Sequence, residues 1–132
     1  MNRILIDTNV ILRYLLDDVE EMALIAEQII EGGARTTPEV LAEMTYVLET
    51  VYGFSRKDIC ATLNTVFIYV EVAPYDVVGR AIREYEETEL DFVDCMMIAY
   101  ATENNERVLT FDKGINRRLS EIKDRNANAK KP

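Results

Sequence analysis

Short apolar runs alternate along this chain with longer segments of helical periodicity, and that alternation limits the possible folds more than any other feature. Ile4-Leu5-Ile6 has the pattern of a short buried strand ending at Asp7, and Val10 to Leu16 continues at helical spacing. Val19 to Glu31 reads as a second helix, with Met22, Ile25, Ala26, Ile29 and Ile30 on one side and Gly32-Gly33 ending it. Ala34 to Thr37 gives another short strand. Thr37 then serves as an N-cap with Pro38 at the first helical position, and Val40, Leu41, Met44, Val47, Leu48 and Val51 keep helical spacing up to Gly53. Ser55 and Asp58 form a capping-box pattern, with Phe54 and Ile59 placed as a hydrophobic staple, so the next helix makes an αα-hairpin with its predecessor. Tyr69 to Ala73 alternates as a strand up to Pro74, and Asp76 to Glu87 is amphipathic through Val77, Val78, Ala81, Ile82 and Tyr85. Phe92 to Ala101 carries Asp94 as its one charged residue and is expected to pass through the core; Val108 and Leu109 make the last strand.

Such alternation implies an α/β domain: a mainly parallel sheet of four to five short strands, helices on both faces and a protruding αα-hairpin. A length of 132 residues suits one domain. Residues 1–119 are expected to form it, and the polar, basic residues 120–132 a disordered tail. In open parallel sheets the ligand site lies off the carboxyl ends of the strands, so Asp7 and Asp112, each just after an expected strand, should share a rim.

Composition removes several chemistries. The chain has no His, and Cys60 and Cys95 stand far apart, which argues against a thiolate or imidazole zinc site and against any His-dependent triad. Reactions here must run on carboxylates, hydroxyls, Lys or a bound metal. No stretch approaches the roughly 20 apolar residues of a membrane span, and the N-terminus enters a strand pattern directly, so a cytoplasmic protein without membrane contact is expected. A net charge of −9 opposes nucleic-acid binding, but its distribution is uneven. Residues 1–112 hold 8 basic and 22 acidic side chains, whereas residues 113–132 hold 7 basic and 2 acidic, leaving a basic end that a polyanion can use.

Five acids stand out by position. Asp7 follows a buried strand in Asp7-Thr8-Asn9, where it either caps the next helix or meets a metal. Glu43 borders the apolar stripe of its helix and can face a cleft or simply water. Asp91 and Asp94 have the spacing of N-cap and third helical residue; Asp94 opens an otherwise apolar helix, where a cation would compensate it, while Asp91 is either cap or further ligand. Asp112, in Thr110-Phe111-Asp112-Lys113, follows the last expected strand and begins either a turn or a site. Asn9 holds its loop or orients Asp7, and Thr110 bonds a phosphate, a water or its own backbone. Arg13, Lys113, Arg117 and Arg118 are the candidates for contact with substrate phosphates.

Ile6-Asp7-Thr8-Asn9-Val10, Val40-Leu41-Ala42-Glu43-Met44, Asp91-Phe92-Val93-Asp94-Cys95 and Leu109-Thr110-Phe111-Asp112 resemble, in order, the four motifs of the PIN-domain family. The likeness runs over residues 3 to 119 and is nearest to the VapC-type toxins of toxin-antitoxin pairs. It implies a PIN-like three-layer fold, with Asp7, Glu43, Asp94 and Asp112 as metal-binding catalytic acids and Asn9 and Thr110 as supporting polar groups. It also implies magnesium or manganese, an RNA substrate, a homodimer and a small antitoxin protein. Crowded carboxylates suit hard, oxygen-preferring cations, which generate hydroxide for attack on phosphorus without His or a covalent nucleophile. A haloacid-dehalogenase-like phosphatase needs a second Asp where this chain has Asn9, and a receiver domain needs adjacent acids at the first strand end. The rival that stands is a non-catalytic RNA- or protein-binding module on the same fold.

Overall fold

Parallel strand pairing draws the alternating segments into one sheet. The computed structural model describes residues 3–16 and 19–129. Its elements are β1 (Ile4–Leu5), α1 (Thr8–Leu16), α2 (Glu20–Glu31), β2 (Ala34–Thr36), α3 (Pro38–Thr50), α4 (Arg56–Tyr69), β3 (Glu71–Val72), α5 (Tyr75–Glu87), α6 (Phe92–Glu103) and α7 (Lys113–Ala129). The sheet order is β1-β2-β3, with Ile4 opposite Ala34, Leu5 opposite Arg35, and Thr36 opposite Val72. Both crossovers contain helices, α1 and α2 in the first, α3 and α4 in the second, as parallel pairing requires.

Local signals account for the element boundaries. Thr37 Oγ1 accepts from Val40 N–H at 3.2 Å with Pro38 behind it, and Ser55 Oγ accepts from Asp58 N–H at 3.1 Å, so both expected caps form. Gly53 adopts φ +69° between the two helices, a backbone conformation that a side chain at Cβ would strain. Leu41, Met44 and Leu48 of α3 join Ile59, Leu63 and Val66 of α4, Val77, Val78, Ala81 and Ile82 of α5, and Phe92 of α6 in the main core. Helix α6 does run through the interior: Cys95, Met96 and Ala99 enter that core, while Ile98 faces a second cluster with Ile115 and Ile122 of α7.

Several expectations are corrected. The sheet has three strands among the described residues, not four to five. Val108 and Leu109 form none and pair with no strand among the described residues; Leu109 is 88% and Phe111 94% exposed. With no strand beside it there, β1 is an edge, and Ile4 and Leu5 are about half exposed where burial was expected; only Ile6 is buried. Both helices of the αα-hairpin carry core residues, and Tyr46, Val51 to Gly53, Ile68 and Tyr69 are exposed on it. On α2 the buried stripe is Ala23, Ala26 and Ile30, leaving Met22 and Ile25 half exposed. Residues 120–129, expected as tail, continue α7, because Ile115, Arg118 and Ile122 keep a buried stripe running past Leu119. Residues 130–132 of that expected tail lie outside the described residues.

Candidate active site

Three helices begin with an aspartate, and in each the backbone explains why it is there. Thr36 Oγ1 donates to the Ile6 carbonyl at 2.7 Å in a buried bond, and Ile6 N–H donates to the Arg35 carbonyl at 2.8 Å, which fixes the end of β1 on which Asp7 sits. Asp7 Oδ1 accepts from Val10 N–H at 3.3 Å. Asp91 Oδ1 accepts from Asp94 N–H at 2.9 Å as the N-cap of α6. Asp112 Oδ1 accepts from Ile115 N–H at 2.9 Å at the start of α7. These bonds realise the capping role expected of such residues, and the positive end of each helix dipole favours the anion. Each cap uses one carboxylate oxygen.

Asp94 differs because it caps nothing. It is half-buried on the first turn of α6, and its carboxyl is held above the usual carboxylate range, first by burial, then by the charges of Asp91 and Asp112 and a hydrogen bond with Asp91. Asp91 and Asp94 thus stand on the first turn of α6, within electrostatic reach of Asp112 at the start of α7. A carboxylate crowded by like charges is what a cation relieves. Asp7 lines a hollow of about 380 Å³ with Thr37 and Val40 at the start of α3. Further along α3, Ala42, Thr45 and Tyr46 face Asp91, Phe92 and Val93 across a hollow of about 440 Å³. Glu43 is exposed between these two stretches. An all-oxygen carboxylate set without His suits a hard divalent cation in kind. Among the described residues, no three acids lie close enough together to hold a metal ion.

The supporting residues are placed more modestly than expected. Asn9 Oδ1 accepts from Arg13 Nε at 3.3 Å on the surface of α1. Thr110 Oγ1 accepts from Asp112 N–H at 3.0 Å, and its carbonyl accepts from Asn116 Nδ2 at 3.0 Å, so Thr110 shapes the turn that carries Asp112. Thr8, next to Asp7, is buried with a hydroxyl that has no hydrogen-bond partner among the described residues. Lys113 and Arg117 are exposed in the first turns of α7. Arg118 is a correction: it is 5% exposed, and its guanidinium binds Glu84, itself 1% exposed, and then Glu87 and Glu121. It ties α7 to α5 and is closed to a phosphate. Burial pushes the Cys95 thiol up to about 12 and raises that of Cys60, leaving neither as a nucleophile or thiolate ligand.

Two positioning residues escaped the sequence reading. Arg56 donates from Nε and Nη2 to the Tyr85 carbonyl at 3.0 and 2.9 Å and from Nη2 to the Leu90 carbonyl, and lies 3.7 Å over the Tyr85 ring. It thereby anchors the turn that delivers Asp91. The available signal was a cation at the first position of α4, where the helix dipole opposes it. Glu84 lies on the Val77 and Ala81 stripe of α5, so a buried partner was legible in its spacing.

Residues 4–119 match the PIN domain family. The chain is 30% identical over 101 residues to a VapC ribonuclease of Aquifex aeolicus (strain VF5), a match that covers 70% of this chain and 73% of that protein. No solved structure gives a significant match.

Proposed function

The chain belongs to the PIN-domain family, and on that premise we propose that it is a divalent-metal-dependent endoribonuclease, the toxin of a toxin-antitoxin pair acting in the cytoplasm. The observation that carries this reading is the placement of Asp91 and Asp94 at the start of α6 and of Asp112 at the start of α7, with Asp94 half-buried and facing the charges of the other two. Asp7, Glu43, Asp94 and Asp112 would hold Mg2+ or Mn2+, with Asp91 as a further ligand. When bound, such a cation lowers the pKa of water and offsets negative charge on the phosphoryl oxygens. Asp7, Asp91 and Asp112 each hold one oxygen on a backbone N–H, which orients the carboxylate. Lys113 and Arg117 take backbone phosphates beside Asp112, and Arg13 does so from α1. Because the rest of the chain is acidic, RNA affinity should fall steeply with salt.

The test is cleavage of labelled RNA by the purified protein in manganese or magnesium at low salt, beside an EDTA control and Asp94→Asn. Metal-dependent cutting that the variant loses supports the nuclease. A second reading, a non-catalytic RNA- or protein-binding module, is favoured by one observation: three of the acids already act as helix caps, and no three converge on a metal among the described residues. RNA retention that is indifferent to EDTA, with no cutting of a broad RNA pool, would select it.

Two assembly proposals accompany the nuclease reading. A homodimer would sediment at twice the chain mass. A small antitoxin would dock on α1 and α2, where Val10, Met22, Ile25, Ala26 and Ile29 line an apolar hollow of about 150 Å³. Co-expression with a neighbouring small protein should give copurification that Ile25→Asp abolishes; a partner unaffected by that change docks elsewhere.

A further inference from the structure

The hollow of about 440 Å³ beside Asp91 contains more than metal binding uses. Its α3 wall is the stripe Ala42, Thr45, Tyr46 and Glu49, spaced as one helix face. Ala42 and Thr45 are short and leave the space open, while Tyr46 is 66% exposed and stacks on no other ring among the described residues. Across the hollow, Arg56 lies 3.7 Å over the Tyr85 ring and is held there by its bonds to the Tyr85 and Leu90 carbonyls, so its place is set before anything binds. The acids Glu49, Glu89 and Asp91 line it as well, beside the apolar Phe54, Ile59, Phe92 and Val93. Such a chamber repels a phosphate and attracts a flat group rich in hydrogen-bond donors. Single-stranded RNA offers such a group whenever a base is splayed out, since proteins read unstacked bases by stacking on aromatic rings or guanidinium planes and by bonding their Watson–Crick edges.

We propose that this hollow is a base-specific subsite for one unstacked guanine of the RNA, with Tyr46 as the stacking ring and Glu49 as the acceptor that reads it. Guanine is favoured because its N1–H and N2–H lie side by side and can both donate to one carboxylate. Uracil offers one donor between two carbonyl oxygens, which a carboxylate repels. Adenine and cytosine each offer an amino group beside a ring nitrogen that is an acceptor. Asp91 borders both the hollow and the acid cluster, so the recognised base lies next to the scissile region and sets which bond is cut.

This inference rests on the RNA-cleaving reading, and its test separates the two. Saturation-transfer NMR on metal-free protein with guanosine, inosine and uridine measures the subsite without catalysis. Guanosine should bind at least ~10-fold better than uridine, the scale of a good bidentate contact. Inosine, which lacks the N2 amino group, should lie between them. Glu49→Gln, a change at an exposed position whose fold circular dichroism is used to check, should erase the preference, and Tyr46→Ala should weaken all three nucleosides together. In parallel, sequencing the ends cut from a random RNA pool should show guanine at one fixed offset in wild-type products. Equal binding of uridine and guanosine, or an unchanged preference in Glu49→Gln, would overturn the subsite. A wild-type protein that never cuts would instead overturn the nuclease reading, while the nucleoside measurement still decides the hollow.

Discussion

Removing the Glu84 carboxylate should destabilise the protein more than any other single change to a charged side chain. Glu84 accepts from Arg118 through both oxygens and from Arg80 Nε at 3.0 Å, and both Glu84 and Arg118 are almost wholly buried. In Glu84→Ala the Arg118 guanidinium stays inside with Glu87 and Glu121, each about half exposed and therefore a weak substitute. Taking one member from a buried pair costs about 3–5 kcal/mol, because the other charge is left without its compensation. For a domain of this size each kcal/mol moves the melting temperature by about 3–5 °C, so a drop of roughly 10–20 °C is expected. The double variant Glu84→Leu/Arg118→Leu should recover most of that loss, since replacing both charges with apolar groups of similar volume is close to neutral. Urea titration of the wild type, Glu84→Leu, Arg118→Leu and the double variant gives the coupling energy directly. Single variants that each cost under about 1 kcal/mol would refute the argument, because a pair of that strength behaves as a surface one. The pair also matters for the site: the segment from Glu106 to Asp112 has no regular structure, so the contacts of α7 with α5 and α6 decide where Asp112 stands.

The remaining predictions concern the acids, the thiols and the end of the chain. Asp94→Asn should raise the melting temperature of the metal-free protein at pH 7, because burial and the Asp91 and Asp112 charges disfavour an ionised Asp94. Its pKa is raised on folding, so that penalty is present above the raised value and fades as pH falls; the stability gap between wild type and variant should narrow in acid, and a constant gap would refute the assignment. Added Mg2+ or Mn2+ should raise the wild-type melting temperature and leave that of Asp94→Asn nearly unmoved. At pH 8 iodoacetamide should spare Cys95, whose thiol is buried with a pKa near 12, and modify it only after denaturation; rapid labelling of the native protein would contradict its burial. Truncation after Leu119 should destabilise the fold, because it removes Ile122 from the second apolar cluster and Arg125 from Glu87, and an unchanged urea midpoint would restore the dispensable-tail expectation.

The sequence by itself determined what short-range physics controls. Helix positions, the Thr37, Ser55 and Asp91 caps and the Gly53 turn depend on residues within four positions of one another, so periodicity and capping chemistry were enough to find them. The parallel α/β plan was legible for the same reason, as were five acids at strand ends, helix starts and the edge of an apolar stripe. Tertiary structure decided the rest, because burial and pairing are settled by segments far apart in the chain. It left Val108 and Leu109 unpaired, turned Ile4 and Leu5 into an exposed edge, and drew residues 120–129 into α7 through contacts with α5 and α6. Whether an arginine is a phosphate ligand or a buried strut depends on what lies opposite it. Arg117 and Arg118 are neighbours in sequence, yet one faces solvent and the other faces Glu84 because their side chains leave the helix about 100° apart.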